Sequence, residues 1–79
     1  MPSRSDLEEV MQFDPEDGIA DLDSHLDRLN QAAASMGFRF DRHAARNELQ
    51  AATFGKRRPA MARLVLSPSG AMAIEVTAA

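Results

Sequence analysis

The sequence predicts an α+β fold: helices through the first two thirds of the chain and a β-hairpin at its C-terminus. Two patterns carry that expectation. Apolar residues recur every three or four positions between Ile19 and Met36, and they alternate singly on either side of Ser67-Pro68-Ser69-Gly70. Length supplies the third constraint, because 79 residues without cysteine make a single small domain, 1–79, in which 1–4 are expected to be flexible.

The elements follow in order. Ser5 with Glu8 three residues later has the form of a capping box, and Leu7, Val10 and Met11 fall on one side of a helix. A short first helix is therefore expected up to Phe13. Asp14-Pro15-Glu16-Asp17 then reads as a second helix start: a capping aspartate, proline at the first helical position and acids in the first turn. That helix is expected to run to Met36, with Leu22, Leu26, Leu29 and Ala33 in its stripe and Gly37 just past its end.

Phe38-Arg39-Phe40 alternates like a short third strand near 38–40. Asp41 is placed to cap a third helix through about Thr53, with Ala45, Leu49 and Ala52 inward. The basic loop Gly55-Lys56-Arg57-Arg58-Pro59 follows it. In the hairpin, Ala62, Leu64 and Leu66 alternate before the turn and Met72, Ile74 and Val76 after it. Two strands alone are marginal in water, so the long helix is the expected cover for their apolar face.

Charge is divided unevenly. Residues 1–30 carry nine acids against Arg4 and Arg28, while 31–79 carry three acids against seven bases, for a total of −3. The division suggests either two halves that attract each other or a surface for a partner. The residues to test for partner contact are Arg42, Arg46, Lys56, Arg57 and Arg58 on the basic side. Asp21, Asp23 and Asp27 are their acidic counterparts.

Catalytic chemistry finds little support in the sequence. Thiol catalysis and thiolate metal sites are excluded with cysteine. No serine lies in a Gly-x-Ser-x-Gly elbow, and Gly55-Lys56 lacks the upstream glycine of a phosphate loop. Asp21 and His25 stand four apart on a helix, too few groups for a metal site, so His25 reads as a half-buried structural residue. His43 reads as solvated. No metal, cofactor or enzymatic activity is expected.

A non-enzymatic protein-interaction module is the resulting expectation: a small adaptor, regulator or inhibitor of a larger protein. Homodimerisation is open to it, because the outer hairpin strand offers an edge to another chain. One alternative is nucleic-acid binding through the basic 39–63 region; another is a phage-type inhibitor whose acidic N-terminal helices mimic nucleic acid. No run of about 18 apolar residues occurs, so no membrane span is expected. Cytoplasm is the default location. Arginine outnumbers lysine eight to one, a composition suggesting a bacterial or phage source.

Overall fold

The segment 7–13, expected as a helix, is a strand. The structure is a computed structural model that describes residues 6–79, so the expectations for 1–4 and for the Ser5 cap lie outside the described residues. Its elements are β1 (Leu7–Asp14), β2 (Gly18–Ile19), α1 (Leu22–Met36), α2 (Arg42–Thr53), β3 (Ala60–Leu66) and β4 (Met72–Ala78). The four strands form one antiparallel sheet in the order β2-β1-β3-β4. The α+β class holds. The layout of three helices beside a stand-alone C-terminal hairpin does not: two helices are present among the described residues, and β3 and β4 are half of a larger sheet.

Long-range pairing decides β1. All seven positions from Leu7 to Phe13 pair with β3, from Leu7↔Leu66 to Phe13↔Ala60. Leu7, Glu9, Met11 and Phe13 turn toward the helices, whereas Glu8, Val10 and Gln12 are exposed on the other face. Glu9 is the polar interruption that hides this two-residue period in the sequence. With Glu9 in place, Leu7, Val10 and Met11 read instead as one side of a helix. Strand preference depends on such cross-strand context more than helix preference does.

The expected helix start at Asp14 is a turn. Asp14 Oδ2 accepts hydrogen bonds from the backbone N–H groups of Glu16 (3.0 Å) and Asp17 (3.1 Å), and Gly18 takes φ of 80°. An aspartate that caps a helix can close a turn by the same bonds, so local chemistry did not separate the two. The helix begins eight residues later, at Leu22. Its end matches the sequence: Gly37 is left-handed (φ 73°), and Phe38 N–H reaches Ala33 O at 2.8 Å, burying Phe38 under the last turn.

No strand forms at 38–40. The segment is an extended link whose Arg39 N–H bonds Pro68 O at 3.2 Å. β1 supplies the third strand that the hairpin needed. α2 starts as expected, with Asp41 Oδ1 accepting from Ala44 N–H at 3.0 Å, and it buries Ala45, Leu49 and Thr53.

Both helices lie on one face of the sheet, α1 against β1 and α2 against β4 and β3. Met11, Leu26, Leu29, Leu49, Leu64 and Leu66 fill the layer between them. Burying a side chain of this size contributes roughly 1.5–3 kcal/mol. On the opposite face, Val10, Met61 and Val65 accompany the charged row Glu8, Arg63 and Glu75, with no covering layer among the described residues. Arg63 bonds Glu8 at 3.2 Å and lies 3.4 Å from Glu75 there.

Candidate functional site

The core-facing position of Glu9 requires a partner, because an unpaired buried carboxylate costs several kcal/mol. α1 supplies two. Glu9 Oε1 is 2.6 Å from His25 Nδ1 and 3.3 Å from Arg28 Nη2. His25 and Arg28 stand three apart, so one face of the helix presents both to the same carboxylate. Glu9 and His25 side chains are 18% and 16% exposed, and Arg28 is 57% exposed. The cluster is thus a half-buried pair carrying a guanidinium that reaches solvent.

One contact fixes the proton bookkeeping. Arg28 Nη2 also lies 2.8 Å from His25 Nδ1. A ring nitrogen offers either a proton or a lone pair, so Nδ1 serves one of these neighbours as donor or the other as acceptor. With Glu9 ionised, Nδ1–H and Nη2–H both donate to Oε1, and the carboxylate is their shared acceptor. Glu9 then sets the tautomer of His25 and the orientation of Arg28. The remaining guanidinium N–H groups have no hydrogen-bond partner among the described residues.

The partner-contact residues expected from sequence divide into two groups. Arg42 pairs with Asp27 and, at 3.3 Å, with Asp23; Arg46 reaches Asp23 at 2.8 Å. These four join α1 to α2 on the surface. The Arg46 hydrogen bond, reinforced by its charge, holds the Asp23 carboxyl below its ordinary range, and the Asp27 hydrogen bond raises Arg42. The acidic and basic sets therefore neutralise each other in part within the fold. Asp21 stays outside this network, in a left-handed conformation (φ 52°) at the helix start and without a side-chain cap bond.

Lys56, Arg57 and Arg58 form the second group. They line an open hollow of about 360 Å³ between the α2–β3 loop and the end of β4, and no carboxylate lines it. None of the three makes an ion pair among the described residues. Phe54 beside them is 89% exposed. His43 is exposed, as expected. Among the described residues, no cluster of three or more histidine, cysteine or acidic residues could hold a metal ion, and no helix is long and apolar enough to cross a membrane.

Glu9 and Arg28 were not singled out by the sequence, and His25 was paired with the wrong acid. The signal was present: with 7, 9, 11 and 13 on one strand face, Glu9 is a carboxylate at a core position. Spacing placed Asp21 and His25 together, but they are joined by the helical backbone bond from His25 N–H to Asp21 O, and the ring turns to Glu9.

No family model and no curated protein matches this chain. A solved structure does: a 2.30 Å crystal structure of a Mesorhizobium loti protein named provisionally as an amino-acid aminotransferase. It is 30% identical, superposes with a TM-score of 0.85 and covers 92% of this chain. The chain spans only 35% of that protein's length. The likeness overturns the expectation of a non-enzymatic adaptor, since it points to an enzyme-related fold.

Proposed function

We propose that this chain is one structural unit of an amino-acid aminotransferase-type enzyme, and that its Arg28 binds an anionic group at the active site. The observation that carries this is the likeness across nearly the whole chain to one third of such a protein. The Glu9–His25–Arg28 cluster supports it in chemical terms. Amino acids and 2-oxo acids are carboxylates, and a guanidinium held at one end by Glu9 presents its other N–H groups in a fixed fork. The sheet face bearing Val10, Met61 and Val65 is available to pack on the rest of the enzyme.

Amino-group transfer draws its chemistry from a carbonyl cofactor, pyridoxal phosphate, held as an imine on a lysine. The residues here do not fit a complete site for it. Lys56 is the sole lysine in the sequence and is exposed on its loop. No carboxylate lines either hollow beside it to pair with a pyridinium nitrogen. We therefore derive no chemical step from this chain. Its part is to orient an anion: Glu9 accepts from His25 and Arg28, and Arg28 donates to the bound group.

Chemical-shift mapping tests this directly. Titrating a 2-oxo acid or inorganic phosphate into the isotopically labelled protein is expected to move the resonances of Glu9, His25 and Arg28. Arg28→Ala is expected to abolish the response without unfolding the domain, because Arg28 is more than half exposed. Shifts confined to other residues, or an unaltered response in Arg28→Ala, would remove the cluster from the site.

A further inference from the structure

Of the three side chains in the Glu9 cluster, His25 alone can change its charge without breaking a contact. With Glu9 ionised, Nδ1 of His25 holds a proton and donates it to Oε1 at 2.6 Å, and Arg28 Nη2 lies 2.8 Å from the same nitrogen. A neutral ring held this way has its free lone pair on Nε2. Nε2 makes no hydrogen bond among the described residues, and no unpaired side-chain nitrogen or oxygen there is sealed from solvent. A proton can therefore reach Nε2 from water, and its uptake leaves both Nδ1 contacts in place. The cluster then passes from no net charge, Arg28 offsetting Glu9, to a net charge of one.

Little else nearby answers that charge. The helix-facing side of β1 carries Leu7, Met11 and Phe13 beside Glu9. On α2, Arg42 and Arg46 are turned to Asp23 and Asp27 on the opposite flank of α1. Asp21, one turn before His25, is exposed and forms no ion pair with the ring. The charged neighbours thus reduce to Glu9, Arg28 and, at the surface, Asp21. A ring charge beside Arg28 attracts the anion that Arg28 holds, and by linkage the anion draws the proton onto the ring.

We propose that His25 is the proton-linked member of the anion site: Nε2 takes up a proton as an anion binds Arg28, so affinity rises as the solution becomes more acidic. This inference rests on the Arg28 reading above and adds its regulation. Because Nδ1 keeps its proton in both states, Glu9 holds the ring and Arg28 in one orientation throughout, and the coupling is electrostatic. In a partly wet site, one added charge beside the anion changes affinity roughly fivefold for a dianion and roughly twofold for a monoanion.

Sulfate is the probe, because its charge is constant across the range used. Its Kd, read from chemical-shift titrations at constant ionic strength between about pH 5.5 and 8, is expected to fall roughly fivefold toward the acid end. Pyruvate, a singly charged 2-oxo acid, is expected to show only about a twofold fall. His25→Asn keeps an N–H donor for Glu9 but takes up no proton, so it is expected to bind sulfate with the weaker affinity at every pH. In wild type, sulfate added at a fixed pH near about 6.5 is expected to move the His25 ring signals toward their protonated positions and leave those of exposed His43 unmoved. Sulfate binding that is lost in Arg28→Ala yet keeps one Kd across the pH range would overturn this inference and leave the Arg28 reading standing. A wild-type pH profile retained in His25→Asn would place the proton elsewhere and overturn it too. Ring signals unmoved by saturating sulfate would do the same, even if the variant failed to fold. Binding unaffected by Arg28→Ala would overturn both readings.

Discussion

Helix α1 carries two charged clusters on its two flanks, and they differ in kind. On one flank, Asp23 and Asp27 meet Arg42 and Arg46 at the surface, with side chains 39–70% exposed. On the other, His25 and Arg28 meet a Glu9 that points into the helix–sheet layer. The surface network joins two helices at little desolvation cost and contributes correspondingly little. The Glu9 cluster does the reverse: it places a carboxylate where an apolar side chain would pack better. Replacing such buried ionic groups by hydrophobic ones is often neutral or stabilising. A costly carboxylate with an exposed guanidinium attached to it points to recognition, whereas the cheap network accounts for itself as structure.

The largest expected effect strikes the support that both flanks share. Leu26 is fully buried between them. Leu26→Asp buries an unpaired charge, at a cost on the order of 3–5 kcal/mol, comparable with the stability of so small a domain. Circular dichroism is expected to show an unfolded chain at 25 °C. A cooperative melt near that of wild type would mean that α1 does not pack as described.

A smaller effect separates the clusters. Glu9→Ala strips two partly buried donors of their acceptor and opens space, costing about 1–3 kcal/mol. For a domain of this size that lowers Tm by roughly 5–15 °C. Glu9→Leu, which refills the space, is expected to restore Tm while losing the Arg28 anion response in chemical-shift mapping. Restored stability with lost binding would mark Glu9 as a positioning residue. If Glu9→Leu kept the response, Arg28 would need no such orientation.

The smallest effect belongs to the surface network and fades in acid. Because Asp23 titrates below its ordinary value of 3.8 when folded, its contribution is fully present above that value and is lost as pH falls through the lowered one. Asp23→Asn should therefore lower stability slightly at neutral pH and converge with wild type as pH falls below about 4. Thermal melts from pH 2 to 7 check this, and about 0.5 M salt should weaken the difference. A loss at neutral pH as large as that of Glu9→Ala would erase the distinction between the flanks.

The same distinction explains what could be read in advance. α2 and the turn at 67–70 were legible because their signals are local: Asp41 at a cap, and Pro68 and Gly70 at turn positions. β1 was not, because Glu9 breaks its alternation and only Arg28 and His25, sixteen or more residues away, make that carboxylate acceptable. Asp14-Pro15 was misread because a side-chain oxygen bonding two following N–H groups serves a turn as well as a helix. Local rules failed near the candidate site, where a residue is kept against the preference of its element.

By itself, then, the sequence determined the α+β class, the apolar stripe from Leu22 to Ala33, the Gly37 stop, the capped α2 and the alternation of β3 and β4, since each depends on neighbours within a turn or two. Tertiary structure alone decided that 7–14 is a strand, that β3 is central and β4 outermost among the described residues, and that Glu9, His25 and Arg28 converge. Those outcomes follow from which distant segments pair, and pairing is settled by the burial and hydrogen bonding of the whole layer.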